Sequence, residues 1–240
     1  MTIHYHGTPI TPRTTLETLA GKFFCVSFAS PNDAKRAHEI GQGVMLDNGA
    51  FSIWRAGKGE IDMNAFWDWA MLWLDCPTTW AVIPDKIEAR DWKENAILIA
   101  RSPREILHHP FKAAPVWHLH EPIARLLDMA DWWPRICFGS SEEYSEVGSE
   151  SWHRRVSEAF DALSKHHSYT MIHMLRGMKC VRMGCYPFHS VDSTDVARNH
   201  HLGGMSHAKL MADEWDGVQC PIRWVPSPKH ECLFASEVDR

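Results

Sequence analysis

The chain has 240 residues, with 25 Lys+Arg against 30 Asp+Glu for a formal charge of −5, and 45% hydrophobic and 23% charged residues. That balance excludes a disordered chain, and the negative charge argues against a sequence-indifferent polyanion binder, though not against a nucleic-acid enzyme with one basic face. The central apolar run Ala96-Ile97-Leu98-Ile99-Ala100 falls far short of the ~20 residues of a membrane span, and residues 1–6 lack a basic start leading into an apolar stretch, so a cytoplasmic protein without membrane partners is expected.

Short stretches rich in Val, Ile, Phe and Trp alternate with longer ones at helical spacing. Strands are expected at 3–6, 23–29 and 44–47. A helix follows at 63–74, with Phe66, Ala70, Trp73 and Leu74 on one face. Strands at 80–85 and 114–120 lead to a helix at 122–133, opening on Pro122 at a first-turn position where its missing N–H costs nothing. After a strand at 136–140, the segment 150–166 places Trp152, Val156, Phe160 and Leu163 at spacings of four, four and three. Strands at 171–175 and 188–192 bring the count to eight. Such alternation implies a parallel sheet with helices outside it. Eight strands in 240 residues point to an α/β fold, a single-domain TIM-like (β/α)8 barrel spanning 1–240. A doubly wound open sheet is the alternative that periodicity does not separate. The core is expected over about 1–200. Gly203-Gly204, Pro221, Pro226 and Pro228 break the rhythm of a loop-rich C-terminal appendage, 201–240.

In such a barrel the functional groups gather at the C-terminal strand ends. Those ends carry Asp47, Asp85, His118 with His120, Gly139-Ser140, His173 and Asp192. One Asp after a strand is usually a cap or turn residue. Six such ends point instead to a site, because gathered carboxylates repel one another and resist desolvation. Two chemistries fit. One is displacement at an anomeric carbon through a covalent glycosyl-carboxylate, with a second acid managing the leaving group's proton. The other is metal-dependent hydrolysis with His118, His120, His173 and Asp192 as ligands.

Four strand-end segments, in order, resemble the tRNA-guanine transglycosylase superfamily. Asp47-Asn48-Gly49-Ala50-Phe51 resembles its Asp-Ser-Gly-Gly-Phe motif, and Ile136-Cys137-Phe138-Gly139-Ser140 its strand ending in Gly-Gly. His173-Met174-Leu175-Arg176-Gly177 resembles His-Tyr-Leu-Met-Gly, and Asp192 with Arg198-Asn199 resembles the stretch carrying the nucleophile. The resemblance implies that Asp192 attacks C1′ and that Asp47 is the general acid/base. It makes Asp85 the acceptor for guanine N1–H and its amine, and Gly139 and Ser140 the backbone contacts to the O6 edge. Phe51 would stack on the purine, a contact of roughly 1–3 kcal/mol; a core aromatic is its plainer reading. His118 stands where the family has Gln, Arg176 where it has a stacking Met, and Asn48 where it has Ser. Each, with His173 and Arg198, is a candidate substrate-binding residue.

No cofactor is expected, and zinc lacks a standard motif. The seven cysteines include no Cys-x-Cys or Cys-x-x-Cys, and neither Cys180, Cys185 and His189 nor Cys220, His230 and Cys232 has ligand spacing. An odd number of dispersed cysteines suits reduced thiols. The short chain without the zinc motif is more similar to the bacteriophage branch, which implies exchange of guanine in DNA for a free 7-deazaguanine base such as preQ0, in host cytoplasm. Residues 170–210 hold five cations (Arg176, Lys179, Arg182, Arg198, Lys209) and two acids, Asp192 and Asp195. Such a rim suits phosphate positioning. The expected activity is a DNA-guanine transglycosylase. A tRNA-guanine transglycosylase, a metal-dependent hydrolase and a non-enzymatic nucleic-acid-binding barrel are its rivals.

Overall fold

A computed structural model describes residues 1–225 except 58, 88, 90, 167–168, 183 and 204. Nine parallel strands make one sheet: β1 (Ile3–Gly7), β2 (Phe23–Ser27), β3 (Gly43–Asp47), β4 (Thr79–Val82), β5 (Ala113–Ala114), β6 (Val116–His118), β7 (Arg135–Gly139), β8 (Met171–Met174) and β9 (Ser190–Ser193). Their order is β5-β4-β3-β2-β1-β9-β8-β7-β6. Both edge strands belong to one stretch of chain interrupted by Pro115. Ile83 donates to the Ala114 carbonyl and Cys137 to the Pro115 carbonyl, each at 2.9 Å, so residues 113–118 join the two edges into an eight-staved TIM-like barrel. The expected strand 114–120 is thus split and shortened, because proline has no N–H for the ladder.

The helices are α1 (Arg13–Glu17), α2 (Ala34–Ile40), α3 (Ala50–Arg55), α4 (Met63–Met71), α5 (Trp92–Ala100), α6 (Arg104–His108), α7 (Ile123–Trp132), α8 (Glu150–Lys165), α9 (Met178–Val181), α10 (Asp195–Asn199) and α11 (Met205–Gly217). Ser149 caps α8 by accepting from the Trp152 amide, and Asp62 caps α4 by accepting from those of Asn64 and Ala65. Pro122 lies one place earlier than expected, as the extended residue before α7. Helix α11 lies inside the stretch expected to be loop-rich. Its buried Ala208, Ala212 and Trp215 recur at helical spacing, but two alanines give a faint apolar signal. Beyond Gly217 the described residues contain no regular element, and residues 226–240, with Pro226 and Pro228, lie outside the described part.

Alternation along the strands sorts the side chains into two cores. Tyr5, Cys25, Met45, Trp80, Val82, Ala114, Val116 and Cys137 pack together inside the barrel. Phe24, Val26, Val44, Leu46, Ile136, Phe138 and Val191 point outward into a larger core with Phe66, Leu126, Trp152, Val156 and Phe160 from the helices. Because inward positions recur at every second residue, Asp47 follows Met45, His118 follows Val116 and Gly139 follows Cys137. The packed interior floor therefore carries a polar layer at its C-terminal end.

Candidate active site

Asp47 ends β3 beside its register partner Ser27 on β2, and its Oδ2 accepts from the Gly49 amide at 3.1 Å. Gly49 has φ +77°, and a Cβ there would stand 2.9 Å from the Ala29 nitrogen, so this turn into α3 requires glycine. Burial raises the Asp47 pKa to about 6, helped by the negative charges of Asp192 and Asp85 and opposed by hydrogen bonds from Ser27 and Gly49. Asp47 is thus a carboxyl that exchanges its proton near neutrality.

Asp192, on β9, is built differently. Its Oδ1 accepts from the Arg176 amide at 2.8 Å and pairs with His173 Nε2 at 3.2 Å. His173, fully buried on β8, places Nδ1 2.9 Å from Ser190 Oγ and packs edge-on against Trp80 and Tyr5. Burial lowers its pKa, outweighing its bond to Asp192. A neutral ring with Nε2–H turned to Asp192 and Nδ1 accepting from Ser190 satisfies both partners. His173 therefore orients Asp192 from within the barrel wall and is shielded from substrate.

Arg176 follows β8 at φ +54°, a left-handed conformation unusual for a branched-off long side chain. Its guanidinium lies 3.9 Å from the Phe51 ring centroid. Burial lowers the Arg176 pKa, against the charges of Asp192, Asp47 and Asp85. The two expected stacking residues thus meet each other.

Asp85 anchors a buried relay. Its Oδ1 accepts from Asn48 Nδ2 at 2.7 Å and its Oδ2 pairs with His118 Nε2 at 3.0 Å. His118 Nδ1 stands 3.3 Å from Glu121 Oε1, and Glu121 Oε2 accepts from Arg125 Nε at 2.6 Å. Burial alone would lower the His118 pKa, but its bonds to Asp85 and Glu121 prevail and raise it to about 9. His118 is therefore an imidazolium at neutral pH with both ring nitrogens engaged, rather than the donor to a base carbonyl expected from the Gln position. Asn48 also donates to the Ile83 carbonyl at 2.9 Å and accepts from the Ala50 amide at 2.8 Å. Its amide is thus fully engaged, with one of its N–H groups holding Asp85. Glu121 and Arg125 were invisible as site residues in the sequence. Their only signal is the three- and four-residue spacing from His118 to Glu121 to Arg125, which suits neighbours on a helical turn.

Gly139 lies at the mouth, where a Cβ would meet Val116 at 3.0 Å and the His118 ring at 3.1 Å. Its lack of a side chain makes room for His118. Ser140 turns away, accepting from Trp152 Nε1 of α8 at 3.1 Å. His120 stacks on His118 with centroids 5.8 Å apart and bonds Ser141 Oγ at 2.7 Å. Arg198 is exposed on α10. The basic segment is less basic than its composition suggests. Arg182 pairs with Glu214 at 3.0 Å and Lys209 with Asp213 at 2.5 Å. Asp213 and Glu214 of α11 thus offset two of the five cations, and Arg176, Lys179 and Arg198 remain, all three near Asp192 in the chain.

The hydrolase ligand set is divided, with His118 and His120 beside Asp85 and Glu121, and His173 beside Asp192. Among the described residues no three His, Cys, Asp or Glu side chains have metal-holding geometry, the set Cys180, Cys185 and His189 included; His230 and Cys232 lie outside the described residues. Cys25 and Cys137 face the carboxylates from within the barrel, and burial raises both thiols well above their usual range. A cavity of about 400 Å³ opens between α3 and the loop after β4, walled by Trp54, Ile61, Pro84 and Asp85. It meets the candidate site at Asp85.

No family model matches the sequence, and no curated protein matches it. A solved structure from a structural study of Aquifex aeolicus VF5 is similar in fold. It is 10% identical, with a TM-score of 0.53 over 91% of this chain and 93% of that one. At that identity the likeness speaks for the barrel alone. Among the described residues no helix is long and apolar enough to cross a membrane.

Proposed function

We propose that the protein is a base-exchanging transglycosylase acting on DNA. The observation that carries this reading is that β3 and β9 bring Asp47 and Asp192 to one barrel mouth, near enough for the Asp192 charge to help raise the Asp47 pKa to about 6. Two carboxyl groups in contrasting environments are what covalent glycosyl transfer uses. The Asp192 carboxylate attacks C1′ and the C1′–N bond of guanine breaks. The bonding pair leaves with the base, which takes its proton from Asp47. An incoming 7-deazaguanine, such as preQ0, gives a proton to the Asp47 carboxylate, attacks C1′ and releases Asp192. Protons and bonds balance without an outside energy source.

Asp85 supplies the acceptor for paired N–H groups on the base edge, and the Phe51–Arg176 pair supplies planar surfaces that part to admit it. The target nucleotide has to be single-stranded or flipped, since C1′ and the base edge are not reachable inside a duplex stack. Arg176, Lys179 and Arg198 are the cations available to phosphates. The preference for DNA over tRNA rests on the resemblance to the phage branch. The test is mass spectrometry of nucleosides from DNA and tRNA incubated side by side with the protein and candidate bases. A deazaguanine nucleoside in the DNA arm is the expected result. Product in the tRNA arm alone reassigns the polymer, and product in neither arm overturns the proposal.

A further inference from the structure

The relay behind Asp85 has a member for which the chemistry above has no use. Glu121 is fully buried, yet it faces neither Asp47 nor Asp192. Its two oxygens are divided between His118 Nδ1 at 3.3 Å and Arg125 Nε at 2.6 Å. A buried carboxylate that serves only structure could be met by Arg125 alone. Here one oxygen is spent on the far side of the ring whose near side holds Asp85 at 3.0 Å. The groups around His118 are Asp85 from the loop after β4, Glu121 and the stacked His120 from the segment after β6, and Asn95 from α5, whose Nδ2 lies 3.4 Å from Nδ1. Two carboxylates on opposite ring nitrogens favour a proton on each, since a nitrogen without one would set a lone pair against a carboxylate; at Nδ1 the Glu121 charge has to outweigh the Asn95 amide N–H, which suits a lone pair.

We infer that Glu121 is a positioning residue: by holding a proton on His118 Nδ1 it fixes Nε2–H against Asp85, and so keeps Asp85 an oriented acceptor for the N–H edge of the base. The alternation Asp85, His118, Glu121, Arg125 neutralises each buried charge by its neighbour. Removing the Glu121 charge frees His118 to lose one proton. A neutral His118 can then present a lone pair to Asp85, whose carboxylate rotates away from it, and the site loses its oriented acceptor.

The inference rests on the reading of Asp85 as the contact to the base, and the experiment separates the two. In the intact protein, nitrogen NMR of the His118 ring at pH 7 tests the relay without any turnover, with both nitrogens protonated as the expected result. A singly protonated ring overturns the inference whatever the activity. Glu121→Gln, close in volume, is expected to raise KM for free guanine about tenfold, the size of one lost charge-assisted hydrogen bond, with kcat nearly unchanged because the contact is made before and during bond breaking alike. Thermal melting establishes that the variant is folded. In the His118→Gln background the same substitution is expected to add nothing further to KM, since Glu121 acts only through the imidazole. Additive losses, or a fall in kcat at constant KM, overturn the inference. Wild-type protein that shows a doubly protonated His118 but exchanges no base sinks the proposed function and leaves the relay standing.

Discussion

Asp47 and Asp192 are the same residue type in contrasting surroundings, which the proposed chemistry uses in two roles. Asp192 receives an amide N–H and an imidazole N–H, which fix the direction of its carboxyl group. Asp47 sits among negative charges that favour its proton. Asp192→Asn is expected to lower exchange by at least about 10³-fold and to abolish the covalent enzyme–DNA adduct, as seen by gel shift after denaturation. Asp47→Asn is expected to lower exchange about 10²–10⁴-fold, the usual worth of a general acid. It also has a stability signature. The folded carboxyl has a pKa of about 6 against an ordinary 3.8, so ionising it costs stability as pH rises through that interval, and the cost is complete above it. The Asn variant should therefore melt higher than wild type at pH 7 and no higher near pH 3.5. An equal gap at both pH values contradicts the assignment.

At the scale of elements, the site depends on how strands hand over to helices. The β3–α3 turn holds Asp47, Asn48 and Gly49 in one tight bend, and Gly49→Ala forces a Cβ into left-handed backbone against Ala29. A loss of about 1–3 kcal/mol is expected from urea unfolding, with base exchange impaired because Asp47 and Asp85 both depend on that bend. The β6–α7 connection carries His118 and Glu121. His118 has a folded pKa of about 9 against 6.5. The stability from its proton is full below pH 6.5 and is lost as pH rises through 9. His118→Gln should flatten the alkaline decline in melting temperature while leaving the protein less stable at pH 7, because Asp85 and Glu121 then stay buried without a cation.

At the scale of the whole molecule, the barrel holds its site by closing a ring that passes through Pro115 and by bracing β1 and β9 from outside. Helix α11 does the bracing. Trp215 donates to Asp195 of α10 at 2.9 Å, Asp216 pairs with His6 of β1 at 3.0 Å, and Lys22 bonds both Asp213 and Asp216, at 2.5 and 2.6 Å. Trp215→Ala is expected to cost about 3–5 kcal/mol, read from denaturant unfolding. It should also slow exchange, because α10 follows the strand that carries Asp192.

The eight staves and their inward ends were legible in the sequence, because a residue period of two and a helical period are local properties that survive without tertiary contact; their order, which separates a barrel from a doubly wound sheet, came from the structure. So were Asp47, His118, His173 and Asp192 at or near strand ends, whereas Asp85, expected to end a strand at 80–85, lies in the loop three residues beyond β4. Contacts between distant segments were not legible. That Asp85 closes on the His118 ring, that Asn48 serves Asp85, that Arg176 covers Phe51 and that α11 offsets Arg182 all depend on side chains far apart in the chain. Pattern determines which residues reach the mouth of this barrel. Only the closed ring decides which of them touch, since a proton's place is set by its nearest charges, and those come from other strands.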